Sequence, residues 1–202
     1  MVGGTGLYVK SFCYGIDEVP AILPVIRSAI IASFQAKGLD WLQQEVVLHD
    51  PVYFASGEIQ NPQRLMRALE VKQSTGKSII DFQTQKKAPR NFNIIQIGLA
   101  LPREQLYQRI NLRVDNMINA GLREEVDSLT SLQHLNALQT VGYRELFDHF
   151  NGKISLLEAI EAIKINTRHY AKRQMTWFKK DAAIHWSAPD LNEVMQLIKN
   201  PG

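Results

Sequence analysis

The chain has 202 residues, 45% of them hydrophobic and 21% charged, which is enough for one domain with a small insertion and excludes a disordered, collagenous or coiled-coil polypeptide. A single cysteine, Cys13, excludes an internal disulfide and a multi-cysteine zinc site and points to a reducing, cytoplasmic setting, and no apolar run approaches the roughly 20 residues of a membrane span. The formal charge of +3 hides an asymmetry: Lys164, Arg168, Lys172, Arg173, Lys179 and Lys180 fall in one stretch without an acid, which makes nucleic acid the first candidate partner.

The chain opens on MVGGTGLY, a glycine turn that permits positive φ and close backbone approach before the apolar Leu7, Val9 and Phe12. Such a turn ordinarily joins a buried strand to a helix, and with only Val2 before it the chain reads as beginning inside a domain. Pro20 and Pro24 introduce a helix on which Ile22, Ile26, Ile30 and Phe34 recur at helical spacing, closed by Gly38 and followed by a second helix over 39–47. Asp50 and Pro51 start a third piece that ends at Gly57. Residues 17–60 therefore read as a small all-helical insertion, with 1–16 and 61–202 as the main portion.

Asn61 as cap and Pro62 in the first turn begin a helix with Leu65, Leu69 and the stem of Lys72 on one face, ending near Gly76, with a short piece over 78–82. Lys86, Lys87, Pro89 and Arg90 form a basic loop, and FNIIQIGLAL at 92–101 reads as a buried strand bounded by Pro102. Next come a helix with Leu106, Ile110, Met117 and Ile118 inward, halted by Gly121, then a helix over 122–132 and one from Gly142 through Phe150. One or two helices over 155–179, a short strand at His185 and Trp186, and a closing helix over 191–198 complete an α/β chain dominated by helices.

Arg109 and Arg113 stand one helical turn apart, so two guanidiniums on one face could clamp a diphosphate through bidentate bonds; spacing alone slightly favours a solvated face. Lys164, Arg168, Lys172, Met175 and Lys179 share a helix face about 25 Å long, enough to follow several phosphates, while Tyr170, Trp177 and Phe178 read as core. Gln63, Arg64 and Arg67 suit backbone or base contacts at a helix start, or a solvated face. Thr140 to Arg144 is a turn whose first helical amides could receive a phosphate, or a plain helix start capped by Thr140. The five histidines show no ligand spacing, so no protein-built metal site is expected. Gly76-Lys77-Ser78 echoes a P-loop ending, but Val71 stands where its first glycine belongs.

In this order, VGGTGLY (2–8), DP (50–51), NPQRLMRALEV (61–71), LYQRINLRVDNMINAGLREEV (106–126), TVGYREL (140–146) and TRHYAKRQMTWFKKD (167–181) closely resemble the tRNA dimethylallyltransferase family, over essentially the whole chain. The resemblance implies a P-loop-NTPase-like core and transfer of a dimethylallyl group from its diphosphate to N6 of the adenosine 3′ of the anticodon. It implies that Arg113, with Arg109, holds the diphosphate, that Thr5 acts at the catalytic and tRNA-contact turn, and that Arg27 contacts tRNA. It places further tRNA contacts at Gln63, Arg64 and Arg67, at Gln139, Thr140, Gly142, Tyr143 and Arg144, and at Lys172, Arg173, Gln174, Thr176 and Lys179. The implied partners are the tRNA anticodon stem-loop, dimethylallyl diphosphate and Mg²⁺ not ligated by residues of this chain, with the protein acting as a monomer. The family's P-loop and its general-base Asp belong upstream of the glycine turn and are not among these residues, so this chain is expected to be nearly inactive by itself. A non-catalytic RNA-binding module is the alternative of another class. An isopentenyltransferase for free adenine nucleotides is disfavoured, because a small substrate needs neither the basic helix nor the insertion.

Overall fold

In the computed structural model, which describes residues 1–84 and 86–199, the chain divides into two compact units, one of Met1–Val9 with residues from Phe92 onward and one of Lys10–Asn91. The helical unit is wider than 17–60, because the long helix α2 (Pro24–His49) packs along α4 (Pro62–Thr75) and the two share a core of Ile30, Leu42, Val46, Leu65, Met66 and Leu69. Leu42, Leu65 and Leu69 are fully buried, each contributing about 1.5–3 kcal/mol of transfer free energy. Inside α2, Gly38 takes φ 79°, ψ −168°, so the two helices expected on either side of it form as two arms joined by a kink.

Local signals set the ends of this unit's elements. Asp50 caps α3 (Pro51–Ser56) by accepting from Tyr53 N–H at 3.1 Å, and Asn61 Oδ1 accepts from Gln63 N–H and Arg64 N–H at the start of α4. Gly76 at φ 73° ends α4, and a 3-10 turn over Ile79–Phe82 follows, capped by Ser78. The basic loop is tied down at Arg90, whose guanidinium donates to the carbonyls of Ser11 and Cys13.

The other unit is also helix-rich, with a parallel strand pair as the α/β class requires. Helices α5 (Arg103–Asn119), α6 (Leu122–Ser128), α7 (Tyr143–Phe150) and α8 (Leu156–Phe178) enclose Val114, Leu122, Val126, Leu146, Phe147, Ala159 and Ile163. The helix expected over 122–132 stops at Ser128, and Thr130–Leu132 is a 3-10 turn. The segment over 155–179 is one helix, opened by Ser155 and Glu158 in a reciprocal cap.

The strand expected over 92–101 is corrected on two counts. Only Gln96–Leu99 (β1) is strand, pairing in parallel with Ile184–Ser187 (β2), which the closing helix α9 (Leu191–Lys199) follows. Nor is it buried, since Leu99 is 57% and Ile95 37% exposed: a continuous apolar run records what a strand can bury, not what covers it.

Candidate functional site

In the unit containing α8, the glycine turn lies against the helix's C-terminal half. Gln174 Nε2 donates to the Gly4 carbonyl at 2.8 Å, and a Cβ on Gly4 or Gly6 would overlap Gln174 or the Trp177 indole. The two glycines thus let the turn approach the helix, and the Thr5 carbonyl then accepts from Val9 N–H at 3.1 Å to open α1 (Gly6–Tyr14), leaving Thr5 exposed. Trp177 is 48% and Tyr170 41% exposed, so neither is the core residue that the sequence suggested; Trp177 covers the turn.

The basic stripe is shorter than its spacing implies. Lys164 is tied to Asp115 and Glu161, both at 2.9 Å, and the Asp115 bond, then the Glu161 bond, hold its ammonium above the ordinary lysine value. Arg168 donates to Asn111 Oδ1 at 3.3 Å and lies 5.7 Å from the Tyr107 ring centroid. Both residues serve the packing of α8 on α5; Glu161 lies just outside the acid-free stretch and Asp115 comes from another helix. Lys172, Arg173, Lys179 and Lys180 remain exposed, with no ion-pair partner among the described residues. Lys172 to Lys180 spans the last turns of α8 and the two residues after it, so this strip runs about 13 Å, or two to three phosphates rather than several.

Arg109 and Arg113 project from α5 on the side away from Tyr107, Asn111 and Asp115, both exposed and with no ion-pair partner among the described residues. Two free guanidiniums one turn apart suit a diphosphate.

The turn into α7 is built on Glu145, which the sequence did not single out. Its side chain is buried, Oε2 accepting from Gly142 N–H at 2.7 Å and Oε1 from Asn166 Nδ2 at 2.6 Å, with Arg144 Nη2 at 3.9 Å. Gly142 sits at φ 101°, a conformation that favours glycine, and Arg144 N–H donates to the Thr140 carbonyl at 3.1 Å. The Tyr143 hydroxyl donates to Glu125, a bond that, followed by burial, raises its pKa above the ordinary phenol value. Gln139 Nε2 donates to the Gln133 carbonyl and Thr176 Oγ1 to that of Lys172, so both side chains are engaged within the chain. Thr140 and Arg144 stay exposed.

In the helical unit, a cleft of about 640 Å³ is lined by Tyr53, Glu58, Gln63, Arg64, Arg67 and Gln83, with Ile79 and Ile80 at its apolar side. Three expected RNA-contact residues therefore share one cavity. A fourth, Arg27, reaches the same buried carboxylate as Arg67: Glu70 Oε1 is 3.6 Å from Arg27 Nε, and Oε2 is 3.4 Å from Arg67 Nη1. Desolvation by burial, the largest cause, raises the pKa of the Tyr53 hydroxyl above the ordinary phenol value.

The match with known proteins is decisive for kinship. A family model described as IPP transferase matches residues 1–181. The chain belongs to the IPP transferase family. It is 50% identical over 192 residues to the tRNA dimethylallyltransferase of Christiangramia forsetii, covering 95% of this chain and 64% of that protein. The crystal structure of the full-length tRNA isopentenylpyrophosphate transferase from Bacillus halodurans is 32% identical, with a TM-score of 0.57 over 98% of this chain and 63% of that one. A eukaryotic dimethylallyltransferase acting on tRNA, at 24% identity, shares the fold with a TM-score of 0.70 over 98% of this chain and 54% of its own. The chain thus spans a little under two thirds of the first of these IPP transferase relatives.

Among the described residues no three His, Cys, Asp or Glu side chains gather to hold a metal, and Glu70, Asp115, Glu125 and Glu145 are each engaged by a cation, a hydroxyl or amides. Among the described residues no helix is long and apolar enough to cross a membrane.

Proposed function

We propose that this chain seats a tRNA anticodon stem-loop and holds the diphosphate in a prenyl transfer from dimethylallyl diphosphate to adenosine N6. The observation that carries this reading is the glycine turn clamped onto α8 by Gln174 and Trp177, directly beside the exposed Lys172, Arg173, Lys179 and Lys180. A clamped turn fixes where a backbone approaches its ligand, and the free cations supply the salt-dependent attraction an RNA backbone needs.

In the reaction, the N6 nitrogen bonds to C1 of the dimethylallyl group as the C1–O bond breaks, pyrophosphate leaves with the electron pair, and the amine gives up a proton. Arg109 and Arg113 stabilise the charge developing on pyrophosphate, and the adenine is flipped from its stack to reach the donor. Thr5 on the clamped turn and Thr140 to Arg144 at α7 are the RNA contacts of this unit. Arg27, Gln63, Arg64 and Arg67 are those of the helical unit, Arg27 in the 17–60 insertion and the other three on the adjoining α4. Relatives named tRNA dimethylallyltransferase, at up to 50% identity, support the substrate class. In this reading the 202 residues act chiefly in binding RNA, as a monomer in the cytoplasm, with little turnover by themselves.

The test is a titration with an anticodon stem-loop hairpin beside an assay with dimethylallyl diphosphate. Binding that weakens steeply with salt, with slow or no prenylation, is expected. Affinity no greater than for an unrelated hairpin at physiological salt refutes the reading.

A further inference from the structure

We infer that Glu70 is a positioning residue for RNA specificity, holding Arg27 of α2 and Arg67 of α4 in one fixed arrangement. This rests on the RNA reading above. Glu70 is 3% exposed and carries its carboxylate between the two helices that build the unit's core, so its location is set by packing and not by solvent. Each oxygen takes a different arginine, Oε1 facing Arg27 and Oε2 facing Arg67, while the arginine side chains remain 59% and 39% exposed. The arrangement is therefore buried at the anchor and open at the working end.

A long arginine free in solvent loses much rotamer entropy when it grips a phosphate or base edge, and it grips any polyanion equally. Arg67, hydrogen-bonded through Nη1, presents its remaining donors in a fixed direction, and Arg27, with Nε 3.6 Å from Oε1, is drawn to the same carboxylate by charge. Arg67 lines the cleft with Gln63 and Arg64, so the pinned donors frame a cavity and select the RNA shape that meets them. The acid also lowers the local positive potential, which suppresses indiscriminate binding. Glu70 thus acts oppositely on the two kinds of affinity, a signature that simple structural support does not have.

The experiment compares the wild-type chain with Glu70→Gln for binding to an anticodon stem-loop and to a length-matched oligouridine, at two salt concentrations, with circular dichroism as a check on folding. Glu70→Gln is expected to weaken stem-loop binding roughly tenfold while oligouridine binding stays the same or tightens, since a charge-assisted anchor is lost and a negative charge removed. Equal changes for both RNAs, or an unchanged ratio, overturn the role of Glu70 while leaving RNA binding intact. A wild-type chain that binds neither RNA overturns the RNA reading and this inference with it. If Glu70→Gln fails to fold, Arg27→Ala, Arg67→Ala and their double variant replace it. Losses in stem-loop affinity that are non-additive support coupling through Glu70, and additive losses refute it.

Discussion

Replacing Glu145 by alanine tests whether one buried carboxylate holds the turn into α7 against α8. The carboxylate accepts one bond from Gly142 N–H at 2.7 Å and one from Asn166 Nδ2 at 2.6 Å. A hydrogen bond to a charged group contributes about 1.5–3 kcal/mol net. In Glu145→Ala the buried Gly142 N–H keeps no acceptor, whereas the half-buried Asn166 amide can turn to water, so the total loss is about 3–4 kcal/mol. At roughly 2–4 °C per kcal/mol, thermal unfolding followed by circular dichroism falls by about 6–16 °C. Glu145→Gln keeps an acceptor for Gly142 and meets Asn166 with a turned amide, at a cost of about 1 kcal/mol. Asn166→Ala and Glu145→Ala together should lose less than the sum of the singles, because they remove one shared bond. An alanine variant melting within about 2 °C of wild type, or strict additivity of the pair, refutes the carboxylate's part in the turn.

Gly6→Ala drives a methyl group into the Trp177 indole and is expected to lower stability by about 1–3 kcal/mol, most of which Trp177→Ala restores in the double variant; a stable single variant in urea titration contradicts the clamped turn. Lys172→Glu with Arg173→Glu should flatten the salt dependence of stem-loop binding, whereas Lys164→Met, whose ammonium is already paired with Asp115 and Glu161, should leave the slope unchanged, as read by fluorescence anisotropy across a salt series. Bonds from Ser155, first its backbone N–H and then its hydroxyl, hold the Glu158 carboxyl below its ordinary value of 4.5. A depressed folded value means the cap's stabilisation is present above pH 4.5 and is lost as pH falls through the folded pKa, so Glu158→Gln should remove that acid limb from the stability curve; an unchanged limb counts against the cap.

Much of this was legible from local chemistry. Asn61, Pro62 and Gly76 bracket α4, and Asp50-Pro51 opens α3, because caps and forced φ values act within a few residues of chain. What escaped depends on distant partners. Glu145 stands three residues after Gly142, a spacing that signals a helix-start acceptor, but its second partner Asn166 lies on another helix. Glu70 stands one turn after Arg67, a local pairing, but its second arginine comes from α2. The same limit shortened the basic stripe: Lys164 looked free until Asp115 reached it from α5. The over-long strand and the half-exposed Trp177 share a cause, for apolar character does not specify how much of a side chain its neighbours will cover.

The parallel register that joins Gln96 to Ile184 has a consequence for how the molecule is made. Its two strands emerge from the ribosome at opposite ends of a long helical stretch, so the ladder closes only after α8 has been synthesised and β2 has cleared the exit tunnel. During translation the nascent chain carries β1 with an open edge, and completion of this unit is a late, non-local event, whereas α2, α3 and α4 can consolidate as soon as residue 91 is free.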